Sequence, residues 1–119
     1  SLYKDANNGN MPTDPFIAET FDATLMLGLA AVAAENGSLC DSIKTCLPII
    51  AGDDGDSDRN IEPSDVKSAV SLLKKGDDIN YEGAAGSQEI DANGDVNNTI
   101  EVWEIKDGKI TSTGQFLSP

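Results

Sequence analysis

The sequence predicts an α/β chain in which about three helices precede a small antiparallel β region. Two observations carry this. Apolar residues recur at intervals of three and four up to about residue 75, the repeat of a helix with one buried face. After Asp78 the repeat shortens to two and glycine punctuates it, as in short strands joined by tight turns.

Residues 1–15 (SLYKDANNGNMPTDP) are rich in Asn, Gly, Pro and Asp, and Leu2-Tyr3-Lys4 reads as the tail of a helix, so the chain reads as beginning in mid-domain. The first full helix is expected from about Pro15 to Asn36. Asp14 is placed to cap its free backbone donors and Pro15 suits the first helical position. Ala18, Phe21, Leu25, Gly28 and Val32 form its apolar stripe, widened by Leu27, Leu29, Ala30 and Ala31, and Asn36-Gly37 supplies the stop. A short second helix is expected over Leu39 to Leu47. A third should start at Pro63, with Val66, Val70 and Leu73 on one side, Lys74 and Lys75 beside its negative end and Gly76 as terminator. Farther on, Ile79 and Tyr81 alternate. Ile100 and Val102 point to one face, Trp103 and Ile105 to the other, and Asp107-Gly108 marks a hairpin between residues 101–106 and 109–111.

Composition narrows the function. The 119 residues hold 21 acidic against 8 basic side chains and carry a net charge of −13, which repels nucleic acid and anionic membranes. With no histidine, Ser-His-Asp and Cys-His catalysis and His-ligated zinc are excluded within the chain. No apolar run approaches the ~20 residues of a membrane helix, so a soluble chain is expected. Cys40 and Cys46 lie six apart. In a continuous helix that is a rise of ~9 Å, against the roughly 4.4–6.8 Å between Cα atoms that a disulfide needs, so a bridge between them requires a turn; two small buried thiols are the alternative.

Two groups of residues invite a binding role. Asp54, Asp56, Asp58, Asn60, Glu62 and Asp65 supply oxygens at positions 1, 3, 5, 7, 9 and 12 of a loop, the spacing of an EF-hand calcium site, although Arg59 stands where the turn normally takes glycine. Asp91-Ala-Asn93-Gly-Asp95 is a shorter version that reads as an ordinary turn. Asn36-Gly-Ser38 and Asn97-Asn-Thr99 have the form of glycosylation sequons.

Several stretches resemble the C-terminal third of type I periplasmic binding proteins, the branched-chain amino-acid (Leu/Ile/Val) binding family. They are FIAETFDATLMLGL from Phe16 to Leu29, the run from Lys75 to Val96 with its Tyr81-Glu-Gly-Ala-Ala-Gly86 core, and VWEIKDGKI from Val102 to Ile110. The resemblance implies a single partial domain over 1–119, the C-terminal part of a two-lobed type I fold. It also implies a non-catalytic, extracytoplasmic solute-binding component of an ABC transporter, periplasmic or extracellular, with a lipid anchor a further option in the full-length protein. Its partners would be an amino acid or similar solute, a membrane permease, and either the rest of its own fold or a second copy. Phe21 matches the aromatic that opens the family's long helix, where many members have Tyr, and would cover an apolar part of the solute, with Thr20, Glu19 and Ala18 beside it. No cofactor is required, and calcium is an option. The alternative is a calcium-dependent interaction module resembling a dockerin, built on the Asp54 to Asp65 loop.

Overall fold

The computed structural model describes residues 4–5, 8–10, 16–52, 59–96 and 99–118. The expected cap Asp14 and the opening Pro15, as well as Leu2 and Tyr3, lie outside the described residues; Lys4 and Asp5 are helical.

Helix α1 spans Ile17–Asn36, two residues later than predicted. Phe16 precedes it in the left-handed region, φ 65° and ψ 13°, and no side chain caps the helix start. The other end is as expected: Gly37 takes φ 72° and returns its N–H to the Ala33 carbonyl. By length and composition alone α1 could cross a membrane, which corrects the expectation that no segment is so long and apolar. In this fold one face of it is buried, while Phe21, Leu27, Gly28 and Ala31 stay exposed. Met26, Leu29, Ala30 and Ala33 are buried against its neighbours.

Helix α2 spans Ile43–Ile50 rather than Leu39 to Leu47. Cys40 and Cys46 are joined by a disulfide with a Cα–Cα distance of 5.2 Å, so the chain turns between them and cannot be helical from Leu39. Ser42 then starts the helix with a reciprocal capping box: its hydroxyl accepts from the Thr45 N–H, and the Thr45 hydroxyl accepts from the Ser42 N–H. Pro48 sits inside α2 and not beyond it. It removes only the donor to the exposed Lys44 turn, and Ile50 and Ala51 behind it are fully buried.

Pro63 opens a 3₁₀ turn, Pro63–Asp65, that runs into α3, Val66–Leu73. Ala69 and Leu73 are its buried positions, whereas Val70 is half-buried. The Asn36 side chain ties the ends of α1 and α3 together by donating to the Lys74 carbonyl at 2.7 Å.

The β region departs from a purely antiparallel plan. Strand β1, Asn60–Ile61, pairs in parallel with β2, Asn80–Gly83, before β2 turns back through Ala84-Ala85 into antiparallel β3, Gly86–Ser87. Because β2 is the middle strand and lies under the helices, Ile79, Asn80 and Tyr81 are buried in succession and the expected alternation disappears. A separate hairpin pairs β4, Ile100–Lys106, with β5, Lys109–Leu117. Its turn is Asp107-Gly108, as predicted, with φ of 52° and 73°, the two positive angles of a type I′ turn.

Candidate functional site

The first group of interest is buried. Asp22, fully buried on α1, accepts from the Tyr81 hydroxyl and the Ala84 N–H on Oδ1 and from the Ala85 N–H on Oδ2, each at 2.8 Å. The carboxylate thus fills a cradle made by a two-residue turn and one phenol, whose three donors converge on it. Gly83 is required at the foot of that turn, since a Cβ there would sit 2.4 Å from Asp22 Oδ2. Removal from water, followed by the hydrogen bond to Asp22 and its negative charge, pushes the Tyr81 phenol well above its ordinary value.

Linkage gives the sign of the effect. Unfolded Tyr ionises near 10, whereas folded Tyr81 holds its proton. The preference is therefore intact below pH ~10 and lost progressively as pH rises above that value. Alkaline titration of unfolding should show stability falling from about pH 10 in the wild type and a shallower slope in Tyr81→Phe, and identical slopes would remove Tyr81 as the cause.

This latch fixes the rotation of α1. With Asp22 turned inward, the adjacent face carries Ile17, Thr20, Phe21, Thr24 and Gly28 along one side of an open groove of about 600 Å³, which Leu25 and Leu29 deepen and Val66 and Val70 of α3 close on the other side. The wall is almost wholly apolar. Thr24 helps make it so, because its hydroxyl donates back to the Thr20 carbonyl at 2.8 Å and is spent within the helix. Gly28 widens the groove, as a Cβ there would meet open space.

Of the four residues expected to touch a solute, Thr20 and Phe21 border this groove and Ala18 and Glu19 do not. Phe21 is 46% exposed, so it is not spent on the core. Reading the sequence missed Phe16. It is 68% exposed and held at positive φ, a conformation costing an aromatic residue about 1–2 kcal/mol, and such strain concentrates at sites that do something. No pattern in the sequence marks it, because the strain is a property of the backbone alone.

The calcium loop gains no support. Asp54, Asp56 and Asp58 lie outside the described residues. Asn60 is in β1 with its side-chain oxygen accepting from the Asn80 amide, Glu62 precedes the 3₁₀ turn, and Asp65 ends it, receiving the Ser64 hydroxyl. Among the described residues no three acidic, histidine or cysteine side chains are grouped to hold a metal ion.

The shorter acidic run is a closed turn. Asp91 Oδ1 accepts from the N–H groups of Asn93 and Asp95 at 2.8 and 2.9 Å, bonds that hold its carboxyl below the ordinary range. An isolated bridge between Ile90 and Val96 flanks it. In the sequons, Asn97 lies outside the described residues, and the exposed Asn36 amide is engaged with Lys74.

Comparison with known proteins places this geometry. The model of the family described as receptor family ligand binding region matches residues 2–108, most of the chain. No curated protein and no solved structure matches significantly. The mixed helix and strand order, with the long α1 packed over a small sheet, is that of part of a type I periplasmic-binding-protein fold. The chain therefore belongs to the receptor-family ligand-binding regions, the type I periplasmic-binding-protein-like family that includes the branched-chain amino-acid binding proteins.

Proposed function

We propose that this chain serves a non-catalytic, extracytoplasmic solute-binding component of an ABC transporter, which holds an amino acid or a similar small solute between two lobes and presents it to a membrane permease. The family match over residues 2–108 carries the reading, because its members bind small-molecule ligands. The head of α1 supports it. The exposed aromatic ring of Phe21 borders an apolar groove there, and a ring so placed can enclose the apolar part of a solute. The groove offers almost no polar group, so the charged ends of an amino acid would be read by other residues. The Cys40–Cys46 disulfide fits an oxidising, extracytoplasmic location.

A thermal-shift and calorimetric screen of amino acids and related small solutes tests the reading. One chemical class should stabilise the chain, and Phe21→Ala should weaken that class by about tenfold, the loss of one aromatic contact of ~1.4 kcal/mol. Phe16→Gly tests the strain at the head of α1: it should hold or raise the unfolding temperature, since glycine accepts positive φ freely. A panel in which no solute shifts stability, or in which Phe21→Ala binds as the wild type does, would sink the assignment.

A further inference from the structure

Hairpin β4–β5 stands apart from the core described above. Ile100, Trp103, Ile105, Ile110, Phe116 and Leu117 are each more than half exposed, and among the described residues every pairing of β4 is with β5. The radius of gyration, 16.3 Å, exceeds the roughly 13–14 Å of a compact domain of this length, in keeping with a projecting arm. A two-stranded hairpin open on both faces is marginal in water, so its strands need a further partner.

Charge indicates which partner. The hairpin holds Glu101, Glu104 and Asp107 against Lys106 and Lys109, so that it carries −1 of the chain's −13 and the remainder carries −12. The remainder, with its large net negative charge, resists a second copy overall, whereas the arm is nearly neutral. Its charges are also available. Glu101 is engaged by the Ser112 hydroxyl, but Glu104 and Lys106 make no ion pair or side-chain hydrogen bond among the described residues.

The ladder supplies the geometry. Lys106 and Lys109 flank a two-residue turn and form a hydrogen-bonded pair, so Ile105 next to them turns its own N–H and C=O toward the free edge of β4. A second β4 running antiparallel, with Ile105 opposite Ile105 about a two-fold axis, would exchange both of those bonds. That register sets Glu104 opposite Lys106 of the second copy and Lys106 opposite its Glu104, two favourable cross-strand pairs with no like charges facing. Trp103, Ile105 and Ile110 lie on one face of the hairpin by pairing and alternation, and the joined four-stranded sheet would make them one continuous apolar surface.

We infer that the free edge of β4 is a self-association surface, through which two copies of this chain pair antiparallel around Ile105. The inference is independent of the solute-binding reading, since no residue of the groove takes part.

Native mass spectrometry and light scattering over a concentration series test it, with Trp103 fluorescence as a local readout because it is the sole tryptophan. The expected result is a dimer that forms with rising concentration and blue-shifts Trp103. Glu104→Lys alone and Lys106→Glu alone should each weaken it by about tenfold or more, as like charges come to face one another. The double exchange Glu104→Lys/Lys106→Glu should restore it. A wild type that stays monomeric at all concentrations overturns the inference, whether the arm is free or covered by another chain in nature. Association that ignores the single changes, or that the double exchange does not rescue, overturns the proposed register and edge.

Discussion

Asp22→Ala is expected to cost about 3–5 kcal/mol, because it removes the only carboxylate from a buried, fully hydrogen-bonded cradle and strands its donors. Against a typical stability of about 5–15 kcal/mol for a domain, such a loss removes a large share of what holds the chain folded. The Tyr81 hydroxyl and the N–H groups of Ala84 and Ala85 would each lose the bond they make at 2.8 Å, and the hydroxyl of the fully buried Tyr81 would be the hardest to satisfy otherwise. Asp22→Asn should be milder, about 1–3 kcal/mol, since its amide oxygen can still serve one side of the cradle while its NH₂ faces a donor. Tyr81→Phe should be milder still and should couple to Asp22→Ala in a double-mutant cycle, because both changes remove the Tyr81–Asp22 bond. Gly83→Ala tests the cradle from the other side. Its methyl carbon would lie inside contact distance of all three carboxyl atoms of Asp22, so the turn must shift and the loss should be about 1–3 kcal/mol. Urea unfolding followed by far-UV circular dichroism reads all four variants. An Asp22→Ala protein within about 1 kcal/mol of wild type would mean that the cradle does not hold α1 to the sheet, and the orientation of Phe21 and Thr20 toward the groove would then need another cause.

How much of this could be read in advance depends on whether the signal is local. The Asp107-Gly108 turn was legible because a two-residue hairpin loop demands two positive φ values and few residue pairs accept them. The end of α1 at Asn36-Gly37 was legible for the same kind of reason. The start of α2 was not. Its position is decided by a cross-link between Cys40 and Cys46 and by a capping box whose third residue is Thr45 instead of the usual Glu or Gln. Strand β1 has two residues and finds its parallel partner twenty positions later, so neither alternation nor turn chemistry announces it. At the candidate site, Phe21 was named from a family motif with Thr20 beside it, and both border the groove. Asp22, between Phe21 and Ala23 on α1, could not be placed, because its partners at Ala84 and Ala85 are more than sixty residues away and contribute backbone atoms that no sequence pattern distinguishes.

Replacing both cysteines, Cys40→Ala/Cys46→Ala, is expected to lower stability by about 2–3 kcal/mol, or roughly 10 °C in unfolding temperature. Two effects add. Closing a loop of six residues restricts the unfolded chain by ~2 kcal/mol in the chain-entropy view. In the folded state Cys46 is fully buried in the core, whereas Cys40 is half-buried at its margin, so the bridge also fixes the turn that delivers Ser42 to its capping position. Alanine is chosen because a serine at position 46 would bury a hydroxyl with no assured partner and confuse the two effects. Ser42→Ala, made in the oxidised chain, isolates the cap and should cost only about 1 kcal/mol. If the double alanine variant unfolds within ~0.5 kcal/mol of wild type, the cross-link is not a structural constraint. If instead it falls as expected and thiol titration of the purified wild type finds no free sulfhydryl, then the stable form of the chain is the oxidised one, and it is suited to work outside the reducing interior of a cell.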